Sequence, residues 1–332
     1  MNCVVTGGCG FIGSHLVDHL VSLGHDVTIV DDFSTGKSGN RNEKATLVQG
    51  SILDSSLVRS AVAGANWVFH TAAWARVQRS IDDPVGTHGV NVTGTLTVLH
   101  ASAEAGVDRV VYSSSSSVYG DQDTHLMAEH MSEQPKSPYA LQKLMGEQYA
   151  TMFARMSETR FASLRYFNVY GPRQVTEGNY ALVIGQFLRQ RDAGDALTVY
   201  GDGTQTRSYT YVDDVVRANI LAAESDLTAG ENTIMNIGTS RETTVNEIAK
   251  MIGGDVRHLI PNPRGDFEES RKAADYTKAK SVLGWEPEVP VERTDDLGIT
   301  NGPIRKYHSL NPNDALNLRS HRFSRVPRTD LT

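Results

Sequence analysis

The sequence predicts an α/β fold, a doubly wound parallel sheet followed by a smaller C-terminal domain. Three observations predict it. Residues 4–32 read as strand, Gly-rich turn, helix, strand and acid. Buried-strand and helical patterns then alternate through about residue 165, the order that winds a parallel sheet with helices on both faces. No apolar run approaches the roughly 18 to 20 residues that a membrane helix needs. The 332 residues suffice for one large domain or two modest ones, and 39% hydrophobic with 21% charged residues are ordinary globular proportions. The expected division is 1–165, 166–292 with some chain returning to the sheet, and an atypical tail at 293–332.

The charge follows that division. Residues 293–332 hold seven Lys or Arg and four Asp or Glu, so the net charge of -7 splits into +3 there and -10 over residues 1–292. An acidic body repels nucleic acid and anionic lipid, and neither is expected as a partner. Cys3 and Cys9 lie too close for a stabilising disulfide framework and read as reduced thiols of a cytoplasmic protein. The first strand begins at Val4, which leaves no space ahead of it for a signal peptide.

The first element, Val4-Val5, runs into Thr6-Gly7-Gly8-Cys9-Gly10-Phe11-Ile12-Gly13. Leu16, Val17, Leu20, Val21 and Leu23 then recur at helical spacing. A second strand, Asp26 to Val30, ends in Asp31-Asp32. Glycines at 8, 10 and 13, with an overlapping spacing from Gly7, let a backbone approach a pyrophosphate lying on the helix N-terminus. Asp31 stands where a carboxylate accepts ribose hydroxyls and repels a 2′-phosphate, so the expected cofactor is NAD rather than NADP. This is a Rossmann-type nucleotide domain.

Farther along, a buried strand from Arg109 to Tyr112 leads into five serines, Ser113 to Ser117, and a long helix opens at Ser137-Pro138-Tyr139 and runs to about Met156. Tyr139 and Lys143 are four apart and share a helix face, where an ammonium favours the phenolate. With a positive nicotinamide ring nearby, the phenol becomes a usable base, and a serine at the strand end can relay its proton. A further helix is predicted from Val92 to Glu104. His70, His88 and His100 lack metal-ligand spacing, no Cys/His cluster exists, and no metal is expected.

These residues make the chain resemble the extended short-chain dehydrogenase/reductase family, and within it the nucleotide-sugar 4-epimerases. The supporting segments are TGGCGFIGSHL at 6–16, HTAA at 70–73, SSSSSVYG at 113–120, YALQK at 139–143, RYFNVYGPRQ at 165–174, YGDGTQTRSYTYVDD at 200–214, NIGT at 236–239 and LGWEP at 283–287. The likeness covers about 1–290. It implies Tyr139 as acid/base, Lys143 as the group that orients the nicotinamide ribose, and Ser115 as proton relay. It implies cofactor contacts from Gly7, Gly10, Phe11, Ile12 and Gly13 in the turn, and from Asp31, Asp32, Phe33, Ser34 and Gly36 after the second strand. Further cofactor contacts are implied for Ser51, Ile52, Thr71, Ala72, Ala73, Asn91, Ser113 and Tyr166. Substrate contacts are implied for Ser115, Ser116, Asn168, Tyr200, Arg207, Arg264 and Ser270, with Asn168 and Arg207 on the diphosphate and Tyr200 stacked on the base, and Arg76 joins them as a departure from the family pattern.

The resemblance implies an isomerase of carbohydrate metabolism that inverts C4 of a UDP-sugar through a transient 4-keto sugar, with glucose/galactose and their N-acetylated forms both open. Dehydratases of the family carry Thr-Asp-Glu ahead of Val-Tyr-Gly. Here Ser115-Ser116-Ser117 occupy those places, so elimination lacks its proton donor. Relatives commonly have small residues and proline where Arg76 and Gln78 stand. Arg76 can therefore touch the sugar or an acidic substituent, which makes UDP-glucuronate a second possible substrate. A nucleotide-sugar dehydratase or decarboxylase and a non-enzymatic NAD-binding sensor are the competing functions for such a chain. Relatives pair the helices corresponding to 92–104 and 141–156 across a homodimer, which is the expected assembly.

Overall fold

A computed structural model describes residues 1–174, 182–261 and 272–292. The chain opens with β1 (Asn2–Thr6), α1 (Phe11–Ser22), β2 (Asp26–Asp31), β3 (Thr46–Gln49), α2 (Ser55–Val62) and β4 (Trp67–His70). Short helices α3 (Val77–Asp82) and α4 (Pro84–His88) lead to α5 (Thr95–Glu104), β5 (Arg109–Ser115), β6 (Leu126–Met127), α6 (Pro138–Met156) and β7 (Arg160–Tyr166). Beyond these come β8 (Val169–Tyr170), α7 (Val183–Asp192), β9 (Leu197–Tyr200), β10 (Thr206–Arg207), β11 (Thr210–Tyr211) and α8 (Val212–Glu224). The described chain ends with β12 (Asn232–Ile237), β13 (Thr243–Thr244), α9 (Val245–Ile252), β14 (Val256–Leu259), β15 (Ala273–Ala274) and α10 (Thr277–Leu283).

The α/β class read from the sequence holds. Seven strands form one sheet in the order β12-β7-β5-β4-β1-β2-β3, and every pairing in it is parallel. A parallel sheet is stable only when both faces are covered, and both are. Leu16, Leu20, Val215 and Ala218 of α1 and α8 are fully buried on one face. Val58, Val98, Leu99 and Phe153 of α2, α5 and α6 are buried on the other. The chain moves outward from β1 through β2 to β3, then crosses back to β4 on the opposite side of β1. That reversal opens a crevice at the C-terminal ends of β1 and β4, the place where such sheets bind ligands.

Residues past 166 contribute both to this sheet and to a smaller lobe. Strand β12 closes the sheet beside β7, whereas β9 pairs with β14 and β10 with β13. Trp285, wholly buried, ties the end of the described chain back by donating its indole N–H to the Asp214 carbonyl at 2.9 Å.

One predicted element differs. The helix expected from Val92 begins as regular α only at Thr95, because residues 89–94 form a wider π-helical stretch. The wider turn accompanies full burial of Asn91, whose amide exchanges hydrogen bonds with the Trp74 backbone at 2.8 and 3.2 Å and donates to Gln142 at 2.8 Å. Such bulges recur where a helix must aim one side chain inward.

Candidate active site

The crevice is built first by the glycine turn. Gly7 sits at φ +71, and a Cβ there would lie 2.8 Å from the backbone N and Cα of Ala72. A Cβ on Gly13 would collide with the Gly7 carbonyl oxygen and the Thr71 hydroxyl. Only glycine lets the turn fold against the β4 loop and leave room beside it. No side chain caps α1, whose N-cap is Gly10, so the N–H groups at Phe11, Ile12 and Gly13 keep the positive end of the helix available to an anion.

Asp31 ends β2, nearly buried, and braces the turn. Its carboxylate accepts from the Cys9 N–H at 2.9 Å and the Phe33 N–H at 2.8 Å. Burial raises its pKa, against the pull of those two N–H groups. Phe33 adopts φ +58, and Gly36 packs so closely that a Cβ would lie 2.7 Å from an Asp31 oxygen. Asp32 accepts from the Ser34 N–H at 2.9 Å. The Ser34 hydroxyl in turn accepts from the Trp74 indole at 3.2 Å, joining the β2 and β4 loops, and Arg79 stacks over the Trp74 ring at 3.4 Å. On the β4 side, Thr71 donates to the Thr6 carbonyl at 2.7 Å, and the Ala72 N–H donates to the Thr6 hydroxyl at 3.3 Å. Ala73 follows, half-buried. Ser51 accepts from the Leu53 N–H at 3.3 Å, while Ile52 is buried under Gly94.

At the C-terminal end of β5 the serines meet α6. Ser137 caps that helix by accepting from the Ala140 N–H at 3.2 Å, and Pro138 sits at its first position. This fixes Tyr139 in the first turn and Lys143 one turn below. The Ser115 side chain lies near the Tyr139 phenol and accepts from the Ser117 hydroxyl at 2.8 Å. Burial raises the Tyr139 pKa, while the Ser115 hydroxyl and the Arg76 charge pull it down. Lys143 is buried and donates from Nζ to the Ser113 carbonyl at 2.7 Å. Burial draws its pKa down to about 7, and the Glu147 carboxylate works against that fall. A phenol and an amine with perturbed pKa values beside serines at a strand end are groups able to exchange protons.

Below this pair lies a network that the sequence reading did not single out. Glu147, again one turn on, accepts from the Ser114 hydroxyl at 2.5 Å and from two Arg165 nitrogens at 2.9 and 2.7 Å. Arg165, fully buried, also reaches Glu133 at 2.7 Å and covers the Tyr119 ring at 4.6 Å. The i, i+4, i+8 spacing of Tyr139, Lys143 and Glu147 was the available signal. His70, another buried ionisable group, lies between the Thr6 and Thr95 hydroxyls at 2.7 and 2.9 Å, and its pKa falls to about 3 through burial and the Lys143 charge.

The remaining expected site residues spread outward from this centre. Tyr166 is buried at the end of β7, with its hydroxyl 3.1 Å from Ser113 Oγ and within 3.0 Å of the Asn219 amide. Asn168 adopts φ +30 and donates to the Ser208 carbonyl at 3.0 Å. Buried Lys272 donates to the Ser116 carbonyl at 3.0 Å. Half-buried Tyr200 ends β9, and Arg207 in β10 donates to the Thr206 carbonyl at 2.7 Å. Arg76 stands at the N-terminus of α3, half-buried. Arg264, Ser270 and the tail at 293–332 lie outside the described residues. Among the described residues no group of His, Cys, Asp and Glu could hold a metal ion, and no helix is long and apolar enough to cross a membrane.

A family model for the NAD dependent epimerase/dehydratase family matches residues 3–238, which carry the glycine turn, the serine strand end and the Tyr139–Lys143 pair. The chain belongs to this family. It is thus an enzyme of a fold whose chemistry runs on NAD. A UDP-glucose 4-epimerase of Mycolicibacterium smegmatis is 39% identical over 301 residues, covering 87% of this chain and 94% of that protein. A UDP-N-acetyl-alpha-D-glucosaminuronate decarboxylase of Bacillus cytotoxicus is 35% identical over 314 residues, covering 88% and 94%. Among solved structures, the UDP-glucose 4-epimerase of Thermotoga maritima with UDP-glucose superposes with a TM-score of 0.84 at 39% identity, covering 90% of this family member and 97% of that chain. A UDP-glucuronic acid 4-epimerase of Bacillus cereus, in complex with UDP-glucuronic acid and NAD, gives 0.79 at 30% identity, covering 90% and 98%.

Proposed function

We propose that this chain is an NAD-dependent UDP-sugar 4-epimerase acting through a transient 4-keto sugar. The observation that carries the reading is the meeting of Ser115, Tyr139 and Lys143 at the end of β5, where residues 116 and 117 are serines and not acids. The fit to NAD rests on the cradle that a Cβ at Gly7 or Gly13 would fill, the uncapped α1 N-terminus and the Asp31 carboxylate. Gly10, Phe11 and Ile12 complete the pyrophosphate contact. Asp32, Phe33, Ser34, Gly36, Ser51, Ile52 and residues 71–73 would hold further parts of the cofactor, and Asn91, Ser113 and Tyr166 would stand behind the nicotinamide. Bound NAD supplies the hydride acceptor and, on return, the hydride donor.

The protein groups handle the proton. Tyr139 as phenolate takes the O4 proton, directly or through Ser115, while the C4 hydride leaves with its electron pair. The resulting ketone turns over in the pocket, and the phenol returns the proton once hydride has reached the other face. The Arg76 charge favours the phenolate, and Lys143 is placed one turn below to orient the nicotinamide ribose. Asn168, Tyr200 and Arg207 anchor the nucleoside diphosphate, so that remote binding energy retains the ketone while the sugar rotates.

Product NMR after incubation with UDP-glucose, UDP-galactose, both UDP-N-acetylhexosamines and UDP-glucuronate tests the reading. Inversion at C4 of at least one sugar is the expected result. Loss of water or carbon dioxide would replace it by a lyase. The decarboxylase relative is the observation that favours this second reading. Two buried free thiols, Cys3 and Cys9, raised to about 11 mainly by burial, are consistent with the reducing cytoplasm as the proposed compartment. A homodimer through α5 and α6 is proposed as the assembly.

A further inference from the structure

Arg76 is an anomaly in this site. It lies in the loop at the C-terminal end of β4, where it starts α3. Its carbonyl accepts from the Ser80 N–H at 3.2 Å, and the Ser80 hydroxyl accepts from the Tyr139 N–H at 3.0 Å. The first turn of α3 is thereby pinned against the first turn of α6, and the Arg76 charge acts on the Tyr139 phenol. Yet among the described residues no carboxylate pairs with Arg76, whose guanidinium makes a single hydrogen bond, from Nη1 to the Ala75 carbonyl at 3.1 Å. Several other arginines withdrawn from the surface do have acids. Arg165 has Glu147 and Glu133, Arg217 has Asp214 and Glu288, and Arg173 has Asp18.

A half-buried guanidinium with open donors presents a fork that a carboxylate matches with two parallel hydrogen bonds. The phenol beside it addresses O4 of the sugar, and C6 is joined to C4 through C5 alone. We propose that Arg76 pairs with a C6 carboxylate, so that the substrate class is a UDP-hexuronate such as UDP-glucuronate. The assignment rests on the nucleotide-sugar reading above and sharpens its sugar. A neutral hydroxymethyl group at C6 leaves the guanidinium unpaired, and a site built around an ionic partner discriminates against such an analogue.

The test compares UDP-glucuronate with UDP-glucose on the full chain and on R76S and R76K, by kcat/KM and by calorimetric binding. Circular dichroism and NAD content report the folding of each variant. The full chain is expected to favour UDP-glucuronate roughly 10²-fold, with the preference collapsing in R76S and partly kept in R76K. Proportionate loss on both substrates, with a shifted pH profile, would overturn the assignment and leave Arg76 as a cation serving the phenol alone. Equal binding of the two sugars by the full chain would also overturn it. If UDP-glucuronate is bound selectively but loses carbon dioxide, the carboxylate pairing stands and the epimerase reading fails. If UDP-glucose is inverted with no uronate preference, the epimerase reading stands and the Arg76 assignment fails.

Discussion

Tyr139 starts with a phenol that burial pushes the wrong way for a base, so its usefulness depends on the charges and hydrogen bonds around it. Replacing it by Phe is expected to lower turnover roughly 10²- to 10⁴-fold while NAD binding persists, read by product NMR and cofactor fluorescence. Lys143 adds a prediction about stability. Its amine titrates at about 7 in the fold against 10.5 for an ordinary lysine. Between those values the unfolded chain binds more protons, so this group makes stability rise as pH rises from about 7 toward 10. Urea midpoints of the cofactor-free protein at pH 7, 8.5 and 10 should climb less in K143M than in the unaltered chain. A reading of this kind could not come from the sequence, where Lys143 shows its partner on the helix face but not its burial.

The elements are locked together by polar groups inside them. Helix α6 is fixed to β5 and β7 by the Ser114–Glu147–Arg165 contacts, all buried. Removing one partner of such a pair leaves the other uncompensated, so E147Q is expected to destabilise by about 3–5 kcal/mol in denaturant unfolding. Because Glu147 opposes the depression of Lys143, the same change should shift the Lys143 titration to lower pH. The turn between β1 and α1 depends on the absence of side chains. In G13A the new methyl group meets the Gly7 carbonyl and the Thr71 hydroxyl, so NAD affinity should fall at least tenfold by calorimetry while the sheet keeps its circular dichroism. The glycine pattern was legible from spacing alone. The π-helical stretch before α5 was not, because local propensity carries no record of Asn91 reaching across to Trp74 and Gln142.

At the scale of the molecule, α6 leaves Leu141, Met152 and Met156 exposed, a stripe of apolar side chains at helical spacing. If a second copy covers that stripe, L141R/M152E should sediment as a monomer while the unaltered chain sediments as a dimer; a monomeric unaltered chain would refute the proposed assembly. The sequence by itself determined the α/β class, the order strand, turn, helix, strand, acid, and the Tyr139–Lys143 pair. Each of these is written in local period or short spacing, which a chain expresses before it folds. Tertiary structure decided what spans long separations. It set Glu147 against Arg165, bonded Ser34 to Trp74 across two loops, returned β12 to the sheet beside β7, and left Arg76 beside Tyr139 without an acid. Those relations depend on which strands become neighbours and on how far each charge is withdrawn from water, and neither quantity exists until the sheet has closed over its core.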